Sequence, residues 1–214
     1  MKSYIASTPR LIKFIFRNWV WNFSKKEKVI YLTFDDGPTP EITEWTLNQL
    51  NQYNAKATFF CIGKNVKENP EVFQKIIENG HSIGNHTNNH LNGYKTNVTT
   101  YLNNIELAEQ QFNLLNIKIQ NPKLFRPPYG KLRFSQSKKI RNKGFKIIMW
   151  DVLSGDFDNS ITTEKCLENV IGYTNKGSII VFHDSVKASE NLQFVLPKIL
   201  EYYSEKGFVF EKIS

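Results

Sequence analysis

Apolar positions change their period repeatedly along this chain. From Val29 onward, short runs rich in β-branched and aromatic residues alternate with stretches whose apolar residues recur three and four apart. The runs Val29–Phe34, Ala57–Ile62, Ser82–Asn85, Lys123–Arg126, Phe145–Trp150, Ser178–His183 and Phe208–Glu211 predict strands. Helices are predicted between them. The first takes Thr39 as N-cap and Pro40 as its first residue. Pro70 to Asn79 places Val72, Phe73, Ile76 and Ile77 on one face and stops at Gly80. Tyr101, Leu102, Ile105, Ala108, Phe112 and Leu115 form a second stripe, and Arg133–Lys143, Thr162–Tyr173 and Ser189–Glu205 complete the set.

Repeated strand–helix alternation predicts a parallel α/β sheet. About seven such units, with no glycine-rich phosphate loop after the first strand, favour a distorted (β/α) barrel over a dinucleotide-binding fold. Barrels of this kind carry their chemistry at the C-terminal ends of the strands.

Composition narrows the classes. The 214 residues suffice for one sizeable domain, and 40% hydrophobic content argues for a folded one. Of the net charge of +8, residues 1–28 hold +6: Lys2, Arg10, Lys13, Arg17, Lys25, Lys26 and Lys28 against Glu27. With the charge confined there, a nucleic-acid-binding body is excluded. Residues 1–26 read as a basic amphipathic arm, and 27–214 as one folded domain. In the arm, Arg10, Lys13 and Arg17 face one way on a helical wheel, while Ile12, Ile15, Phe16, Trp19 and Phe23 face the other. Such a helix either packs on the barrel, the preferred reading, or makes weak contact with a membrane surface. No stretch is apolar enough to span a bilayer, and the run Leu11–Phe23 is broken by Lys13 and Arg17 with no small-residue cleavage site after it. Location stays open, with a cytoplasmic or membrane-peripheral protein the expectation where neither a cleavable signal peptide nor a transmembrane helix is evident, and the expected state is a monomer. Cys61 and Cys166 sit among apolar neighbours and read as buried free thiols.

Polar residues gather at the predicted strand ends. Asp35-Asp36-Gly37-Pro38 ends the first strand; two adjacent carboxylates point in different directions, so one can bind a metal while the other takes a proton. A helix-capping turn is the competing reading. His86 and His90 follow the third strand at a spacing that puts both imidazoles on one face of a helical turn, within reach of one ion. His81, at the entry to that strand, reads as structural. Arg126-Pro127-Pro128-Tyr129 follows the fourth strand; the prolines remove two donors and leave the Tyr129 N–H presented by a stiff loop, which suits an oxyanion hole. The fifth strand runs out into Asp151 to Phe157, and the sixth ends at His183-Asp184, where a histidine suits a general acid.

These segments, in this order over roughly residues 27–214, resemble the five motifs of the polysaccharide deacetylase family, the carbohydrate esterases that share the NodB homology domain. The resemblance implies removal of N-acetyl groups from N-acetylglucosamine-containing polysaccharide or oligosaccharide, with acetate released. It assigns one divalent ion to Asp36, His86 and His90: zinc by ligand type, with cobalt or nickel as substitutes. It makes Asp35 the base, Arg126 the residue that orients it, Tyr129 N–H the oxyanion donor, His183 the general acid, and Asp156 the carboxylate that tunes His183. Phe157 stands where the family usually has Trp, and Leu153, Val181 and Phe182 also depart from its pattern at the expected acetate pocket and sugar platform. The departures bear on substrate choice, which stays open between peptidoglycan, chitin-like oligomers, an exopolysaccharide and xylan. Hydrolysis of another ester or amide, such as O-acetyl xylan, by the same site is the alternative. A binding module without catalysis would need a broken motif, and all five motif carboxylates and histidines stand in place.

Overall fold

Parallel pairing of short strands builds the molecule. The computed structural model describes residues 5–114 and 122–214, so Lys2 and Leu115 lie outside the described residues. Its strands are β1 (Val29–Asp35), β2 (Ala57–Cys61), β3 (Ser82–Asn85), β4 (Lys123–Phe125), β5 (Phe145–Ile147), β6 (Val152–Leu153), β7 (Ile179–His183) and β8 (Val209–Phe210). They form one sheet in the order β5-β4-β3-β2-β1-β7-β6, with β8 paired to the start of β1. Every ladder between them is parallel. One stretch of chain closes the curve: it pairs with β4 as β5, runs on through Ile148–Asp151, and pairs with β7 as β6. The result is the expected distorted (β/α) barrel.

Alternation along the strands divides core from site. Successive side chains point to opposite faces of a sheet. Ile30, Leu32 and Phe34 of β1, with Ile180 and Phe182 of β7, are buried against Leu50, Phe73, Leu196 and Ile199 of the surrounding helices. The alternate residues Thr33 and Asp35 face inward, where Arg126 reaches both. One period-2 pattern thus builds the core with one set and delivers polar groups to the barrel mouth with the other.

The helices are α1 (Arg10–Ile15), α2 (Ile42–Gln52), α3 (Gly63–Glu68), α4 (Pro70–Glu78), α5 (Val98–Asn113), α6 (Phe134–Asn142), α7 (Thr163–Tyr173) and α8 (Ser189–Glu205). Pro70 opens α4, and the side chains of Asn97 and Thr162 cap α5 and α7 by accepting from Thr100 and Lys165 N–H.

Several boundaries differ from the sequence expectation. Thr39 and Pro40 belong to a turn, and α2 starts at Ile42, because Glu41 takes a left-handed backbone conformation (φ 65°) that breaks the helical path; the Thr43 hydroxyl accepts the Thr39 N–H at 2.7 Å. The strand expected over Phe145–Trp150 stops at Ile147, and β6 and α3 were not anticipated. The arm is not one amphipathic helix through Phe23. Ala6–Thr8 lie antiparallel beside Asp151–Leu153, with Thr8 N–H on Asp151 O (3.0 Å) and Leu153 N–H on Ala6 O (2.8 Å). Val20 lies parallel to Ile148. Trp19 and Trp21 are both buried, two residues apart as in an extended chain, and Trp19 Nε1 donates to Ser137 Oγ at 2.7 Å. No helix among the described residues is long and apolar enough to cross a membrane. Cys61 and Cys166 are buried and free.

Candidate active site

Five strand ends deliver the predicted residues to one place. β1 and β7 are in register so that Asp35 pairs with His183, and Asp184 N–H donates to Asp35 O at 3.1 Å. Beyond β1 the chain turns sharply, with Asp36 at φ 80°. This conformation swings its carboxylate away from Asp35, so the two neighbours have separate partners.

Asp35 is held by Arg126. The guanidinium, 0% exposed, donates from one nitrogen to Asp35 Oδ1 and to Thr33 Oγ1, both at 2.7 Å. Its other nitrogens donate to Ile148 O and Met149 O, and Phe60 lies under its plane at 4.1 Å. Burial pulls the Arg126 pKa down against the opposing pull of Asp35. A buried charge with every guanidinium nitrogen directed to an acceptor is a positioning device more than a source of stability.

Asp36, His86 and His90 converge separately. Their ligand atoms lie within 4.8 Å of one another. Asp36 Oδ1 is 3.6 Å from His86 Nε2 and 3.2 Å from His90 Nε2, yet among the described residues it is buried without a hydrogen-bond partner. His86 Nδ1 sits 2.8 Å from the Arg126 carbonyl, which can only accept; Nδ1 therefore carries the proton and Nε2 keeps its lone pair. His90 Nδ1 is 3.1 Å from the Tyr129 hydroxyl. Burial, then the neighbouring His90, pushes the His86 pKa down to about 3, and burial lowers that of His90. Two neutral imidazoles and an orphaned carboxylate oxygen facing one point fit a divalent cation such as zinc.

The pair sits on a loop, where a helical turn was expected. Residues 86–90 are irregular, and Thr87 (φ 63°) and His90 (φ 53°) are left-handed. Asparagines hold the loop: Asn85 Oδ1 accepts from Thr87 N–H, and Asn104 Oδ1 from Asn88 and Asn89 N–H. The start of α3 grips its other side through Gly63 and Lys64 N–H on Thr87 and Asn88 carbonyls. Tyr129 is also left-handed, at φ 60°. Of the six non-glycine residues with such φ values among the described residues, Asp36, Thr87, His90 and Tyr129 surround this site. Strain concentrated in this way is what a site fixed by its surroundings carries.

His183 meets a second carboxylate. Asp156 accepts from its backbone N–H at 2.7 Å through Oδ2 and lies 2.8 Å from Nδ1 through Oδ1. Burial opposes charge on His183, but Asp156, with Asp36 and Asp35 adding to it, pushes the pKa up to about 9. The imidazole is therefore protonated at neutral pH. Asp156 is itself fixed by Ser154 Oγ–H at 2.9 Å, and its own carbonyl accepts from Asn191 Nδ2.

The site also uses residues that the motifs did not single out. Asp184 is fully buried and accepts from Gly37 N–H (3.1 Å) and Thr43 Oγ–H (2.6 Å), tying the Asp35–Gly37 turn to β7. Burial pushes its pKa up to about 8. Its position next to His183 was the only signal. His81, as expected, is structural: Nδ1 accepts from Ala57 N–H, and burial lowers its pKa to about 4. Among the departures, Phe157 lies edge-on to His183 with ring centroids 5.1 Å apart. Phe182 cannot wall a pocket here, because it points outward and stacks on Phe34 in the core.

Comparison with known proteins finds relatives along most of the chain. Residues 23–148 match the sequence model described as Polysaccharide deacetylase. That stretch carries Asp35, Asp36, His86, His90, Arg126 and Tyr129; Asp156 and His183 lie beyond it. A peptidoglycan-N-acetylglucosamine deacetylase of Bacillus cereus is 32% identical over 195 residues, covering 91% of this chain and 90% of that enzyme. Chitin deacetylase 2 of Saccharomyces cerevisiae is 30% identical over 177 residues, covering 78% of this chain and 54% of that protein. The crystal structure of the Bc1960 peptidoglycan N-acetylglucosamine deacetylase, solved with 4-naphthalen-1-yl-N-oxidanyl-benzamide, superposes with a TM-score of 0.87 at 32% identity, covering 96% of this chain and 95% of that one. With the match spanning more than half of the sequence and both halves of the barrel superposing, the chain belongs to the polysaccharide deacetylase family, the NodB-type carbohydrate esterases.

Proposed function

We propose that this chain is a metal-dependent hydrolase that removes N-acetyl groups from N-acetylglucosamine-containing polysaccharide or oligosaccharide and releases acetate. The observation that carries the proposal is the convergence of three sets on one barrel mouth: the Asp36–His86–His90 cluster, the Arg126–Asp35 pair and the Asp156–His183 pair. Asp36, His86 and His90 would hold the cation, which when bound supplies Lewis-acid chemistry to an acetyl carbonyl and a water. Asp35, fixed by Arg126 and Thr33, takes a proton as water attacks the carbonyl carbon. The Tyr129 N–H follows two prolines that have no N–H, and donates to the oxygen that gains charge. His183, charged because of Asp156, gives its proton to the amine as the C–N bond breaks. The water oxygen ends in acetate, and the sugar keeps a free amine. Similarity to peptidoglycan and chitin deacetylases supports an N-acetylated sugar as substrate.

Mass spectrometry of peptidoglycan fragments, chitin oligosaccharides and acetylated xylan, before and after incubation with metal-loaded protein, tests the reading. Loss of acetyl groups from an N-acetylated sugar is the expected result. Acetate released only from O-acetylated xylan would replace this reading with an esterase.

A further inference from the structure

The arm leaves an apolar helix standing off the barrel. On its N-terminal side, Ala6–Thr8 are hydrogen-bonded to the chain at β6; on its C-terminal side, Trp19 and Trp21 are buried and Val20 pairs with Ile148. Between these two anchors, α1 buries no residue at all. Leu11, Phe14 and Ile15, spaced i, i+3, i+4 on one face, are 68%, 72% and 54% exposed. Lys13 points the other way and is tied to Asp151 at 3.7 Å, which fixes how the helix is turned. A free six-residue helix is unstable in water, so the anchors, and not its own propensity, hold this one in place. An exposed apolar face on a body with a well-filled core marks a surface for something else.

Its charge setting identifies the occupant. Arg10 and Arg17 flank the apolar face and are exposed, as are Lys25, Lys26 and Lys28 where the arm joins β1. Arg10 and Lys25 lie near enough to Lys13 to oppose its charge, so the basic residues form one field. The rest of the chain is close to neutral, with +6 of the net +8 in residues 1–28. Exposed Leu, Phe and Ile beside exposed Arg and Lys of the same arm match a bilayer surface rich in anionic lipid: headgroups for the cations, the acyl boundary for the side chains.

We propose that α1 docks this protein onto an anionic membrane surface, inserting Leu11, Phe14 and Ile15 while Arg10 and Arg17 meet lipid phosphates. This goes beyond the deacetylase reading and does not depend on it.

Cosedimentation of the full chain with vesicles tests it, using phosphatidylglycerol mixed into phosphatidylcholine against phosphatidylcholine alone. Binding is expected only to the anionic vesicles, and it should weaken steeply as salt rises from about 0.05 M to about 0.5 M. Leu11→Ser/Phe14→Ser/Ile15→Ser should lower partitioning by at least about tenfold, since each side chain forfeits its apolar transfer. Its melting temperature should stay unchanged, because nothing in α1 is buried. Arg10→Gln/Arg17→Gln should weaken binding and flatten the salt dependence. Full chain that ignores anionic vesicles at low salt would overturn the proposal, as would a triple-serine variant that binds as well as its parent. A concentration-dependent dimer in sedimentation velocity, abolished by the triple-serine variant, would also overturn it and assign the face to a second copy of the chain.

Discussion

Replacing Asp156 with Asn tests the acid half of the site most directly. The carboxylate is fully buried, accepts the His183 backbone N–H and faces Nδ1 at 2.8 Å. It is the chief influence that pushes the His183 pKa up to about 9 against burial. The amide is nearly the same size and has no charge, so the largest pull against burial is gone and the imidazole should titrate near its ordinary value of about 6.5. At pH 8, a group of pKa about 9 is about nine-tenths protonated and one of about 6.5 about 3%, so the rate should fall roughly thirtyfold; at pH 6 protonation costs little. The alkaline limb of the pH–rate profile should therefore move down in Asp156→Asn. A cation at Asp36 offsets that carboxylate's pull on His183, so in metal-loaded protein both limbs lie lower and the difference between the two proteins is the readout. Stability gives a second check. His183 has its pKa raised on folding, so its stabilising effect is fully present below about 6.5 and is lost as pH rises through about 9. In metal-free protein that is about 3 kcal/mol, readable by denaturant unfolding. An alkaline limb that stays put in Asp156→Asn, or a loss equal at every pH, would refute the reasoning.

Other perturbations separate the remaining groups. Asp36→Ala should abolish stoichiometric divalent metal in elemental analysis, while Asp35→Asn should keep the metal and lose about a hundredfold or more in turnover; the reverse pattern would show the two carboxylates to be exchanged. Arg126→Ala leaves Asp35 buried without its partner, and should destabilise by about 3–5 kcal/mol in denaturant unfolding as well as lowering activity. Gly37→Ala would drive a Cβ into Asp184 Oδ2, so the turn or Asp184 must move; a melting temperature and activity equal to the parent's would show that the clamp is not needed.

Much of this protein is legible along the chain because its signals are local. Val29–Phe34 and Ser178–His183 read as strands because apolar β-branched and aromatic residues continue to the point where Asp35 and His183 appear, and the structure puts both at strand ends. The helix at Pro70 announces itself by a proline at its start, a stripe three and four apart and a glycine behind it. The family motifs are likewise contiguous stretches of a few residues.

Tertiary structure decided what periodicity cannot carry. β6 is two residues long, too short to show a period, and exists only because β7 and Ala6–Thr8 lie beside it. His86 and His90 have helical spacing, but Asn85, Asn104 and the start of α3 bond the intervening backbone into left-handed turns, and those partners are remote in sequence. Asp184 becomes a clamp only when the barrel brings Gly37 and Thr43 to it. In the arm, the helical wheel grouped Trp19 with Ile12 and Ile15, yet Trp19 is buried against α6 while α1 stays exposed. A period describes one element's faces, whereas which face finds a partner depends on surfaces that only the folded barrel assembles.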